Sequence, residues 1–209
     1  MMLAAALPLG ADNIFQINAQ GKKQVIQRDA IVTRNDSSYL VYKHFDLKEQ
    51  RVEKVRLAKG SLPYVVEKGS PEESRAIVAN WKRFGFSASV IDDAGKITSI
   101  ADAYIDFYPP GGRGSLLESI PATTSFTLLT AGGGADEVKF EDIDHVDLTG
   151  DHLTVTKRDG TTVEGRFLIP SQQPAEARLL GITGQYDPSS EEVFDFSMPL
   201  ARLKSIHFK

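Results

Sequence analysis

The chain contains no cysteine. Disulfide frameworks, thiolate zinc sites, iron–sulfur clusters and cysteine nucleophiles are therefore excluded, and stability must come from packing. No apolar run approaches the roughly 20 residues a membrane-spanning helix requires. Local catalytic signatures are missing as well. There is no His-Glu-x-x-His, no G-x-x-x-x-G-K-[ST], no G-x-G-x-x-G and no G-x-S-x-G. This removes the short motifs of zinc proteases, P-loop nucleotidases, dinucleotide binders and α/β-hydrolases. Nor is there an excess of positive charge: the net charge is −4, which argues against a dedicated nucleic-acid binder.

What is present is ordinary globular material. Its 209 residues are 41% hydrophobic and 25% charged, enough to bury a real core in one or two domains. The charge is uneven. Residues 1–110 carry 15 Lys+Arg against 13 Asp+Glu, and residues 111–209 carry 9 against 15. Pro109-Pro110-Gly111-Gly112-Arg113-Gly114-Ser115 breaks any regular element where the charge shifts. The expected organisation is an apolar tail or signal remnant over 1–12, a β-meander domain over 13–110, a linker at 111–115, and a β-domain over 116–209. The run from Met1 to Ala11 is apolar and ends in small residues, but it lacks the basic start of a secretory signal. Both a truncated signal and a plain apolar tail fit it. The expected location is periplasmic or secreted, with a cytoplasmic one left open.

The predicted fold class is mostly β with one amphipathic helix: an antiparallel meander plus a C-terminal β-sandwich or small barrel-like domain. Strands are expected at Gln24–Thr33, Tyr39–Phe45 and Arg51–Leu57, the last two joined by a turn at Lys48-Glu49-Gln50. A helix over 71–84 is predicted by Ser70, Pro71 and Glu73, a capping box with proline at its first position. Its expected buried face is Ile77, Val78, Trp81 and Phe84, and Gly85 is the expected stop. Phe86–Ile91 and Lys96–Tyr108 read as a hairpin, followed by short strands separated by glycine-rich turns to the C-terminus.

One internal similarity stands out. Phe140, Ile143, Val146 and Leu148 have the same spacing as Leu200, Leu203, Ile206 and Phe208. Steps of three followed by a step of two predict a single helical turn running into a strand. Two related β-units sharing one core are the expected meaning.

Candidate sites are few. Glu141, Asp142, Asp144, His145 and Asp147 offer metal-type ligands but fail the EF-hand loop, since Val146 and Asp147 occupy its fifth and sixth positions counted from Asp142. They interleave with core residues, so a solvated face is expected and no metal site is assigned. His145 and His152 are expected as a surface pair across the hairpin at Gly150, while His44 and His207 belong to no motif. Arg113 and its glycines are expected as a linker, not a phosphate loop. Lys43, His44, Lys48, Arg51, Lys54, Arg56 and Lys59, with Tyr39, Tyr42 and Phe45, are the one basic and aromatic stretch. Glu49 and Glu53 dilute it, and a charged hairpin face is expected. Asn35-Asp36-Ser37 is a glycosylation sequon that matters only in a eukaryotic secretory setting.

Val138–Phe167, with Asp142, Ile143, Val146 and Asp159-Gly160, resembles the opening of LytTR-type DNA-binding domains. That resemblance implies a DNA-binding β-hairpin fold. The half of the chain that carries it is acidic, and no basic second hairpin follows.

The functional expectation is a non-catalytic binding or structural module, exported, acting through protein–protein or carbohydrate-like contacts. No cofactor, catalytic residue or metal ligand is assigned, and an unidentified protein is the expected partner. Two alternatives remain: a hydrolase with dispersed carboxylates, which leave no local motif, and a weak nucleic-acid binder through the Lys43–Lys59 face.

Overall fold

The computed structural model describes residues 11–60, 63–112 and 120–209. The expected tail over 1–10 and the expected linker residues Arg113, Gly114 and Ser115 lie outside these residues. Ala11 and Asp12, assigned above to the tail, are buried instead. Asp12 opens the first strand, because its carboxylate ties that strand to its neighbours.

The chain divides into two compact units, Met1–Trp81 with Asp187–Val193, and Lys82–Tyr186 with Phe194–Lys209. The first holds an antiparallel five-stranded sheet of β1 (Asp12–Ile17), β2 (Lys23–Asn35), β3 (Tyr39–Asp46), β4 (Arg51–Ala58) and β5 (Tyr64–Glu67), in the order β4-β3-β2-β1-β5. Alternation along these strands builds one apolar face from Ile14, Ala30, Val32, Leu40 and Tyr42, with Val55, Leu57 and Val66 packed against it. The β3–β4 turn puts Gln50 at φ 52°, left-handed backbone that a non-glycine residue adopts at a cost.

α1 (Pro71–Phe84) starts as its sequence dictates. The Ser70 Oγ accepts from the Glu73 N–H at 3.2 Å, and the Glu73 carboxylate accepts from the Ser70 N–H at 2.5 Å. Ile77, Val78 and Trp81 are buried, but Phe84 is 59% exposed. It is the last helical residue, and the chain leaves the axis at once. Gly85 does not adopt the left-handed stop expected of it. Glycine is required there for space: a Cβ would lie 2.8 Å from the Asp102 Cα and 2.7 Å from its Oδ1.

The second unit is built on β6 (Ala88–Asp92), β7 (Ile97–Tyr108), β8 (Ser125–Leu129), β9 (Ala135–Lys139), β10 (Ile143–Thr149), β11 (His152–Lys157), β12 (Thr162–Phe167), β13 (Glu176–Ile182), β14 (Phe196–Pro199) and β15 (Leu203–Phe208). All pair antiparallel in one sheet ordered β14-β13-β7-β6-β15-β10-β11-β12-β8-β9. The sheet does not close into a barrel; it is a mostly β, sandwich-like architecture. An isolated bridge between Ile105 and Thr123 brings the segment before β8 back onto β7. Inside, phenylalanines meet edge-on or tilted: Phe140 lies 4.5 Å from Phe208, 5.2 Å from Phe126 and 5.6 Å from Phe86, centroid to centroid. Such contacts add to the area they bury.

The repeated spacing has a direct structural counterpart. Phe140–Asp142 is a 3-10 turn feeding β10, and Leu200–Arg202 is a 3-10 turn feeding β15. The eight apolar residues of both copies lie in one core. The two strands pair with each other, Val146 opposite Ile206, which are the matching positions of the two copies. A local two-fold axis therefore passes between them. Irregularities also correspond: β10 is bulged between Ile143 and His145 against β11, and β15 between Leu203 and Ser205 against β6.

The expected break at 111–115 does not separate the strands. β6 and β7, placed above with the N-terminal domain, pair with β15 and β13, so hydrogen bonding assigns them to the second unit.

Candidate functional site

Two cavities have lining residues drawn each from one unit. In the first unit a cavity of about 390 Å³ is bordered by Asp12, Lys68, Gly69, Ser74 and Arg75. Its buried carboxylate and its arginine are already engaged. Asp12, 4% exposed, accepts from the Val32 N–H at 2.8 Å, the Gly69 N–H at 2.9 Å and the Lys68 ammonium at 2.9 Å. Arg75 pairs with Glu72 at 2.6 Å. Asp12 thus staples β1 to β2 and to the entry of α1.

The second unit contains a smaller cavity of about 250 Å³ with mainly apolar walls, including Leu153, Phe167, Ile169, Ala177 and Leu200. Each wall comes from a different piece of local structure. Leu153 is an inward position of β11, Phe167 ends β12, Ala177 is the second residue of β13, and Leu200 opens the second 3-10 turn. Phe167 is anchored by a parallel ring contact with Phe107 at 6.5 Å and an edge contact with Phe126 at 5.9 Å. Two carboxylates, Asp151 and Glu176, complete the lining. Asp151 accepts from the Arg166 guanidinium at 2.8 Å, and Glu176 from Arg178 at 2.6 Å. Gly165, beside this wall in β12, is obligatory, since a Cβ would sit 2.6 Å from the Leu129 carbonyl oxygen.

The basic stretch does not form one groove. Lys43 is fully buried, and its ammonium donates to the carbonyls of Ser190 at 2.6 Å and Glu192 at 3.1 Å. Arg56 stacks over Tyr39 at 3.6 Å, Arg51 pairs with Glu53 at 2.7 Å, and Lys59 donates to the Asn35 side chain at 2.6 Å. Strand alternation is the cause: Lys43 and Arg56 occupy one face of the hairpin, and His44 and Arg51 the other.

The expected histidine pair is also replaced. His152 stands opposite Thr149 and Arg166, while His145 faces His207 across β10 and β15. Their rings stack with centroids 5.4 Å apart and planes inclined by 20°. His145 Nδ1 lies 2.9 Å from an Asp144 carboxylate oxygen, and this hydrogen bond holds the Asp144 carboxyl below its ordinary range. Sequence spacing could not reveal the pairing, because 62 positions of chain separate its members. Among the described residues, no group of three or more histidine or carboxylate side chains is placed to hold a metal ion, and no helix is long and apolar enough to cross a membrane.

The chain matches no protein-family model, no curated protein and no solved structure.

Proposed function

We propose that this protein is a non-catalytic binding module that uses the apolar cavity of its second unit to hold a small apolar group. The observation carrying this reading is the cavity's lining: hydrophobic walls with two carboxylates, the usual make-up of a ligand pocket. Its volume, about 250 Å³, lies below that of typical drug-sized sites, which suits a single ring or short acyl chain. Such a group can come from a partner protein's side chain or from a small molecule. A carbohydrate fits less well, since its hydroxyls need more hydrogen-bonding groups than Asp151 and Glu176 supply. Export belongs to the same proposal and is supported by the apolar run at residues 1–11. The absence of a nucleic-acid partner is supported by the engaged and divided basic residues of β3 and β4.

A fragment titration followed by amide and methyl NMR tests the reading. Small aromatic and acyl compounds are expected to shift signals of Leu153, Phe167, Ala177 and Leu200. Ala201, an exposed residue of the cavity lining, allows a blocking variant, and Ala201→Trp is expected to abolish those shifts. Binding that persists in that variant, or no binding at all, overturns the proposal. The hydrolase alternative has one observation in its favour, the presence of both carboxylates in one cavity. Glycoside turnover lost in Asp151→Asn and Glu176→Gln would establish it instead.

A further inference from the structure

The cavity of the second unit has a charge pattern that its apolar walls do not explain. Among its described lining residues the charged ones are Asp151 and Glu176, both acidic; no lysine, arginine or histidine is among them. We infer, resting on the cavity reading above, that its occupant is a small organic amine. One ring or a short alkyl chain sits against Leu153, Phe167, Ala177 and Leu200, and its ammonium is held by Asp151 and Glu176.

Both carboxylates have capacity left for such a cation. An ionised carboxylate accepts through two oxygens, with about four lone-pair sites in all. Arg166 uses Oδ2 of Asp151, with Nε and a terminal nitrogen each at 2.8 Å. Arg178 Nε uses Oε1 of Glu176, at 2.6 Å. Asp151 Oδ1 and Glu176 Oε2 have no hydrogen-bond partner among the described residues. An ammonium brings donors and no acceptor, which matches an acceptor-only pair.

Other small ligands with the same apolar part fit less well. An acid would set its own negative charge against two like charges, and an alcohol would forgo the stronger, charge-assisted hydrogen bond. The wider field points the same way. Residues 111–209 supply all of the lining except Pro110, and they carry 9 Lys+Arg against 15 Asp+Glu. Such a balance draws cations toward the cavity. Both halves of the amine are met within one cavity, so no larger partner is needed to account for the lining.

Three probes of similar size test the inference by NMR titration of the full chain at neutral pH: phenethylamine, phenethyl alcohol and phenylacetate. The amine is expected to bind roughly tenfold more tightly than the alcohol, the combined effect of two partly exposed ion pairs. Phenylacetate is expected to bind more weakly than either. Asp151→Asn combined with Glu176→Gln is expected to bring the amine down to the alcohol's affinity and leave the alcohol unchanged. Arg166→Gln combined with Arg178→Gln frees both carboxylates and is expected to tighten the amine severalfold. Circular dichroism checks that each variant folds, and the wild-type comparison decides even where one does not. Equal affinity for amine and alcohol overturns the inference and leaves the cavity reading standing. So does an amine preference that survives loss of both carboxylates. If none of the probes shifts Leu153, Phe167, Ala177 and Leu200, both ideas fall together.

Discussion

A single lysine shows how far environment overrides residue type. Lys43 is fully buried in the first unit, against the strong tendency of lysine to stay in water. It is tolerated because two backbone carbonyls of the 187–193 segment accept from its ammonium. Desolvation still disfavours the charged form and pulls its pKa down to about 8, from an ordinary value of 10.5. Between those values the unfolded chain keeps a proton that the folded protein has released. Stability from this group therefore rises as pH climbs from 8 to 10.5, by the usual proton linkage. Chemical denaturation of wild type and Lys43→Met across that window checks this. The difference between them is expected to shift in favour of wild type with rising pH, and a flat difference would refute the assignment. Position 43 also explains why the basic run reads poorly from sequence: charge counts do not record which side of a strand each residue takes.

At the scale of elements, two short patterns prove far more legible than the loops around them. The capping box of α1 and the repeated turn-into-strand spacing both rest on local stereochemistry, so sequence alone exposes them. The end of α1 is different. Gly85 reads as a conformational stop, yet it is needed because the Asp102 backbone on β7 approaches to contact distance. Gly85→Ala is accordingly expected to destabilise the fold by roughly 1–3 kcal/mol, the cost of overpacking a close contact. Thermal unfolding reads it, and an effect within a few tenths of that of a surface substitution would show that Asp102 moves aside freely. The paired repeats carry a further consequence. Their shared axis lies between Val146 and Ile206, yet the outer positions differ: the axis-related partners of Asp147 and His145 are His207 and Ser205. A symmetric core is thus compatible with an asymmetric surface.

For the whole molecule, chain order and spatial order disagree. The chain passes from the first unit to the second after Trp81, returns for Asp187–Val193, and leaves again. A fragment cut at the apparent linker, 116–209, would lack β6 and β7. These strands pair with β15 and β13 and contribute Val90, Ile100, Ala103, Ile105 and Phe107 to the core. That fragment is expected to remain unfolded, with poorly dispersed amide resonances. A cooperative, well-dispersed fragment would restore 116–209 as a domain.

Readable from the residues alone were the strand-rich class, α1 and its start, most hairpin turns, and the two matching β-units. These depend on side-chain period and turn chemistry, which act over a few residues. The sequence did not disclose β1, whose Asp12 is justified only by hydrogen bonds to Val32, Lys68 and Gly69. The cavity and the His145–His207 pair were equally hidden. Their members come from separate strands, and only long-range hydrogen-bond register, set by burial of one face of each strand, decides which of them meet.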